Sequence, residues 1–239
     1  MRRSATVPIV VVILFLFIAF AMYSCQADDG YNDPNRSGSH SHTTASLQVS
    51  APGEAIVALE ALPVKGRAPK TGYSREQFGP AWKDVDKNSC DTRNDILHRD
   101  LEFQAIDEDG CTVISGTLHD PYTGNTVVFS RGRTTSSAVQ IDHVVALSDA
   151  WQKGAQSPDV DRVGLANDPL NLLAVDGPTN QQKSDGDAAT WLPPNRGFRC
   201  EYVGRQISVK TKYHLWVTEA EKAAMQNVLS TCPGQSTYS

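Results

Sequence analysis

The sequence predicts an α+β domain, stapled by disulfides and set behind an export segment. Three stretches carry that expectation. "CTVISGTLHDPYTGNTVVFSRG" (111–132) has β-branched runs on either side of a turn made by Asp-Pro and Gly-Asn, which reads as a β-hairpin. "TEAEKAAMQNVLSTC" (218–232) is the clearest helix: Thr218 and Glu221 form a capping box, and Ala224, Met225, Val228 and Leu229 supply its buried stripe. Four cysteines, Cys90, Cys111, Cys200 and Cys232, fall in the part of the chain that can fold. An even number in an exported domain points to disulfides.

The chain opens with "MRRSATVPIVVVILFLFIAFAMYSC". Two arginines precede an apolar run from Val7 to about Tyr23, near the lower limit of roughly 17 residues for a bilayer-spanning helix. The basic flank predicts a cytoplasmic N-terminus and an exported remainder. Residues 1–25 are therefore read as a signal peptide or an N-terminal membrane anchor. Tyr23 is a poor residue ahead of Ser24-Cys25, so lipidation is disfavoured. Residues 26–52 are rich in Gly, Ser, Asp, Asn and Thr and read as a disordered linker. His40 and His42 lie in that solvated tether, where a histidine pair binds nothing specific. The folded domain is then 53–235, long enough for one core and without internal repeats.

Within it, "EAIVALEAL" (54–62) has the composition of a short entry helix. In "YSREQFGPAW", Ser74 stands three residues before Gln77, a capping pattern. "NDILHRDLEFQAI" (94–106) suits a helix or a strand, and periodicity does not choose. After the hairpin, "AVQI" alternates as a strand and runs into Asp142-His143. Val144, Leu147 and Trp151 then fall on one helical face, over about 144–153, and Gly154 ends it. "NDPLNLLAV" (167–175) turns at Asp168-Pro169 and continues as a short apolar strand. An Asp-Gly turn follows, with Pro178 well placed to open a helix. "CEYVGRQISVKTKY" (200–213) alternates as strand material.

Four cysteines allow three pairings, and the sequence alone does not choose among them. The sequence-local one, Cys90–Cys111 with Cys200–Cys232, is the expectation. Each bridge would close a loop worth on the order of 3 kcal/mol in the chain-entropy model. No two of these cysteines form a C-x-x-C pair, which weakens a zinc reading.

The formal charge of −5 argues against a protein that grips nucleic acid by bulk electrostatics, though not against a local basic face. Between Thr190 and Trp216, Arg196, Arg199, Arg205, Lys210 and Lys212 face only Glu201, interleaved with Trp191, Phe198, Tyr202, Tyr213 and Trp216. Such a stretch could follow a phosphate backbone. A strand pair with a packed aromatic face is the plainer reading.

The order strand–Asp142-His143, strand with Asn171, turn, helix with Asn180 resembles the HNH nucleases. "CDTRNDIL", "DPYTG", "VQIDHVVALSDAW", "NDPLNLLAV", "NQQKSDGDAATWLPPN" and "C.YV" narrow the likeness. They are similar to exported actinobacterial-type HNH proteins related to the C-terminal domain of the GmrSD restriction endonucleases, over about Tyr73 to Cys232. The resemblance implies a ββα-metal core elaborated with extra strands and helices. It further implies an endonuclease that hydrolyses phosphodiester bonds with one divalent ion, Mg²⁺ ahead of Mn²⁺. On that likeness His143 is the general base and Asn171 the residue that braces the loop and positions it. Asp142 and Asn180 are the metal ligands. The distance from His143 to Asn171 is longer than in compact HNH motifs, which an inserted helix and loop would explain.

The chemistry suits these residue types. A neutral imidazole can take a proton from water near pH 7, and hard oxygens suit Mg²⁺. Asp142 and His143 are adjacent, so in extended chain they point to opposite sides, and a site that uses both needs the strand to end there. Lys183 shares a helical face with Asn180 and is a candidate phosphate contact. Arg131 and Arg133, just upstream, are further candidates. Asp185 and Asp187 are weaker candidates for the metal shell.

The function expected is thus an exported endonuclease of little sequence specificity, acting on DNA in preference to RNA, with no obligate protein partner. Membrane contact is expected only through an uncleaved N-terminal segment. Two other classes compete. One is a non-catalytic envelope binding module on the same fold. The other is a hydrolase with a serine or cysteine nucleophile, which the lack of G-x-S-x-G disfavours.

Overall fold

Two antiparallel sheets organise the domain, and the helices pack around them. The computed structural model describes residues 53–239. The export segment and the linker, with His40 and His42, lie outside the described residues. Among those described, no helix is long and apolar enough to cross a membrane.

The elements run α1 (Glu54–Ala61), α2 (Thr92–Asp100), β1 (Leu101–Ile106), β2 (Val113–His119), β3 (Thr126–Ser130), β4 (Val139–His143), α3 (Leu147–Ala150), α4 (Arg162–Asn167), β5 (Leu172–Asp176), α5 (Gly177–Lys183), α6 (Arg199–Lys212) and α7 (Glu219–Leu229). Strands β1, β2 and β3 form one antiparallel sheet in chain order. Strands β4 and β5 form a second, with Ile141 opposite Ala174, Asp142 opposite Leu173 and His143 opposite Leu172. Helix α5 follows β5 directly. Asp176 caps it by accepting from Thr179 N, and Pro178 sits in its first turn.

The ambiguous stretch 94–106 is both things in turn. Asp91 caps α2 through Asn94 N, the helix ends at Asp100, and β1 starts at the next residue. That junction is fastened to the second sheet. Arg99 donates to the carbonyls of Pro169 and Leu172, and Asp100 accepts from Ala174 N at 2.8 Å. The hairpin turn is fastened there too. Asp120, almost fully buried, accepts from Thr123 N at 2.8 Å and from Asp176 N at 2.9 Å. Gly124 takes φ 78° in that turn, a conformation that favours glycine.

Three expectations change. The segment expected as a strand over 200–213 is helix α6. Its buried face includes Tyr202, Val203, Gln206, Ile207 and Lys210, at helical spacing. Two of those positions are polar, which is why the apolar residues alone suggested alternation. Gln206 donates to Val144 O, and Lys210 joins a buried ion cluster. Of the aromatic residues expected to line a strand pair, Tyr202 is buried, and the half-buried Trp191 and Phe198 lie with it against Tyr122.

Second, the helix after His143 is short. The chain passes from α3 into a wider helical turn over Trp151–Ala155, broken at Lys153 and Gly154. Gly154 adopts φ 129°, and a Cβ there would come within 3.3 Å of the Leu215 and Trp216 side chains. Third, Ser74 leads into a 3₁₀ turn, Arg75–Phe78, without capping it through its side chain.

The disulfides are Cys90–Cys111 and Cys200–Cys232. The first ties the loop before α2 to the β1–β2 turn, and the second ties the start of α6 to the chain after α7. Beneath α6 and α7, Lys153 bonds Asp149, Asp187 and Glu221 at 2.7, 2.8 and 2.6 Å. Lys210 bonds Glu221 at 3.0 Å, and Arg67 bonds Asp149 and Asp187.

Candidate active site

Strand β4 ends at His143, so the two adjacent side chains of Asp142 and His143 are not held in a continuing pleat. Both line a cavity of about 350 Å³, together with Asn180, Asp185, Ser148 and Arg75. Three elements meet there: the end of β4, helix α5, and the 3₁₀ segment that contains Arg75.

His143 is largely buried, and its Nε2 lies 2.9 Å from Ala166 O. A carbonyl only accepts, so Nε2 carries the proton and Nδ1 is left as the basic nitrogen. Burial pushes the imidazole pKa down, to about 4, the Ala166 carbonyl opposes that, and the charges of Arg75 and Lys183 add to the lowering. The ring is therefore neutral across the physiological range.

Asn171 sets the loop that follows. It is fully buried. Its Oδ1 accepts from Val145 N at 2.8 Å, and its Nδ2 donates to Leu165 O at 3.1 Å. Its own carbonyl accepts from Val144 N. The residue thereby joins the chain leaving β4 to the end of α4, whose Ala166 carbonyl holds the imidazole.

Asp142 is buried and has two protein partners. Lys183 Nζ lies 3.0 Å from Oδ1 and 2.9 Å from Oδ2, and the Tyr122 hydroxyl donates to Oδ2. Burial raises this carboxyl's pKa, while the Lys183 ammonium and the Tyr122 hydroxyl oppose it. Lys183 also donates to His143 O at 2.8 Å. It is almost wholly enclosed, so the expected phosphate contact is instead the counter-ion of Asp142. The helix puts Lys183 near the site as its spacing from Asn180 suggested, but the side chain runs inward.

Asn180 is half-buried, and its Nδ2 donates to Gln140 Oε1 at 3.0 Å. That leaves its Oδ1 as an acceptor. Asp185 lines the same cavity, with Ser148 at 3.1 Å and Lys70 at 3.2 Å. Asp187 does not: it belongs to the buried ion cluster. Arg131 is elsewhere too, with its guanidinium spent on Val113 O and Asn94 Oδ1. That pairing braces the hairpin against α2. Arg133 is exposed and is not part of the cavity wall.

Two contributors escaped the sequence reading. Tyr122 sits in the hairpin turn, where "DPYTG" signals only a turn, yet Asp120 clamps that turn so that the ring enters the core. Arg75 lies far upstream in a segment whose only signal was a capping pattern.

The donor set suits a hard cation with few protein ligands. Among the described residues no three His, Cys, Asp or Glu side chains gather as a metal cage. Asp142 accepts a hydrogen bond from Lys183 on Oδ1 and one from Tyr122 on Oδ2, and the Lys183 ammonium also lies 2.9 Å from Oδ2. A carboxylate offers about four lone-pair sites, so one remains on Oδ1. Asn180 Oδ1 is a second oxygen in the same cavity. Mg²⁺ commonly keeps several waters and takes only one or two carboxylates, so these residues fit such an ion.

Comparison with known proteins agrees with the GmrSD part of the likeness read from the motifs. The model of the GmrSD restriction endonuclease C-terminal domain matches residues 91–228, more than half of the chain. A protein of Arthroderma benhamiae (strain ATCC MYA-4681 / CBS 112371), described as an uncharacterized secreted protein, is 40% identical over 177 residues. The match spans 73% of this chain and 82% of that one. The chain belongs to the family of the GmrSD restriction endonuclease C-terminal domain. No solved structure matches it.

Proposed function

We propose that this protein is an exported, divalent-metal-dependent endonuclease of the HNH type that hydrolyses phosphodiester bonds with little sequence specificity, DNA ahead of RNA. The observation that carries the reading is the state of His143. It is a buried neutral imidazole with one nitrogen pinned to a carbonyl and the other left basic, in a cavity shared with Asp142 and Asn180. The family's name, restriction endonuclease, supports the substrate class. The relative described as secreted and the two disulfides support export.

In this reading His143 Nδ1 accepts a proton from water as the water oxygen bonds to phosphorus and the bond to the departing sugar oxygen breaks. The sugar oxygen takes its proton from solvent. Asn171 holds the imidazole in place by joining its loop to the carbonyl that orients it. Asp142 and Asn180 would hold the ion, and Lys183 and Tyr122 would fix the Asp142 carboxylate in one orientation. When bound, the ion supplies charge stabilisation to the scissile phosphate and the departing oxygen. Arg75, at the cavity wall, is the side chain offered to the phosphate, a part that Lys183 and Arg131 are too committed to play.

The test is to incubate the oxidised chain with plasmid DNA, single-stranded DNA and RNA, with MgCl₂ or MnCl₂ and with EDTA. Cleavage that requires the metal supports the reading. No cleavage of any of the three by folded, metal-supplied protein overturns it in favour of a binding module.

A further inference from the structure

His143 also forms part of the wall of a second cavity, of about 280 Å³, which has no part in the steps above. Its other walls include Arg75, Phe78, Trp82, Leu147 and Asn167. Arg75 therefore borders both cavities, as His143 does. Among the described residues it makes no ion pair.

The second cavity is shaped for something flat and aromatic with polar edges. Trp82 lies nearly parallel to the His143 imidazole, at 13° with ring centroids 6.1 Å apart. It does so with φ 57°, a left-handed backbone uncommon for a bulky residue. Strain of that kind persists where the surroundings impose it, and it gathers at ligand clamps and active sites. Phe78 and Leu147 add apolar surface. Asn167 also lines this wall, its Nδ2 spent on Val163 O at 3.0 Å.

The geometry points to this cavity as a subsite for one unstacked nucleobase of the substrate strand, next to the scissile phosphate, with Trp82 as its stacking surface and Arg75 between base and phosphate. This rests on the Asp142 cavity being where the phosphate binds. A base and its own phosphate are separated by a single sugar, and the two cavities adjoin, with Arg75, His143 and Leu147 lining both. A base stacked in a duplex cannot enter a walled pocket without leaving the stack. Single-stranded nucleic acid, whose bases are free to leave the stack, is therefore the substrate class that fits.

The test uses the full chain and one sequence prepared as single strand and as duplex. The single strand is expected to be cut with a kcat/KM at least about tenfold higher, the scale of stacking one base on an aromatic ring. Trp82→Ala should lower the single-strand value by about the same factor beyond any loss it causes with duplex, so that the preference for single strand disappears. Trp82→Phe should restore most of it. An abasic residue beside the cleaved bond should reproduce the loss in the wild type and add nothing in Trp82→Ala.

A second readout does not need turnover. A single strand carrying 2-aminopurine is bound to His143→Ala protein, and its fluorescence should be quenched in a manner lost with Trp82→Ala. Equal cleavage of single strand and duplex, unchanged in Trp82→Ala, overturns the subsite and leaves the nuclease standing. Quenching that needs Trp82 in a wild type that cuts nothing upholds the subsite and removes the nuclease. Neither cleavage nor quenching removes both.

Discussion

His143 and Tyr122 show how single residues are tuned by what surrounds them. The imidazole has a pKa of about 4 in the folded chain, against about 6.5 when unfolded. As pH falls through that window the unfolded chain binds the proton and the folded chain does not, so stability falls with pH. The loss between pH 6.5 and 4 should be about 3 kcal/mol. Urea unfolding in metal-free buffer should show that slope in the wild type and not in His143→Gln. Tyr122→Phe should cost about 2 kcal/mol, since it removes a hydrogen bond to a buried carboxylate, and the drop should appear as a lower thermal midpoint. That Asp142, His143 and Asn180 line one cavity, with Asn171 bracing the loop beside it, was legible from the residue types and order on which the resemblance rested. Lys183 was legible as a neighbour of Asn180 but not as a partner of Asp142, since helical spacing gives a face and not the direction of a long flexible stem. Tyr122 was not legible at all, because its contact depends on where a hairpin turn is clamped in three dimensions.

At the scale of elements, the brace between β4 and α4 is the part on which the site's geometry depends most. Asn171 makes three side-chain hydrogen bonds there from a fully buried position. Asn171→Ala leaves buried backbone groups without partners. It should destabilise by at least about 3 kcal/mol and reduce cleavage further than the stability loss explains, read as kcat at a temperature where the variant is folded. The elements with apolar periodicity or clean turn chemistry were readable: α1, the β2–β3 hairpin, β5, α5 opened by Pro178, and α7 with its capping box. Helix α6 was not. Its inward face carries Gln206 and Lys210, whose reasons for burial are a carbonyl in the loop after β4 and an ion cluster assembled from other elements. A local pattern of apolar residues cannot register such partners. The break at Lys153-Gly154 lies where Gly154 was expected to end the helix, whereas the helix's late start at Leu147 was not read.

For the whole molecule, the α+β class and the two disulfides were within reach of the sequence, whereas the buried ion cluster was not. Arg67, Asp149, Lys153, Asp187, Lys210 and Glu221 come from widely spaced parts of the chain and bind one another beneath α6 and α7. Burial opposes ionisation of Asp187, yet Lys153 and Arg67 bring its pKa to about 2. Its contribution is therefore complete above the ordinary Asp value and is lost only as pH falls toward 2. Lys153→Met should destabilise by about 3–5 kcal/mol, because it leaves carboxylates buried without their cation. Chemical denaturation at neutral pH would measure that. The central claim is that this framework holds His143 as the base of a phosphodiester hydrolase, and the most direct measurement is the rate of metal-dependent cleavage by His143→Ala beside wild type, with both shown to be folded. The account predicts that the variant loses at least about a hundredfold in kcat. Cleavage by His143→Ala at the wild-type rate would contradict it.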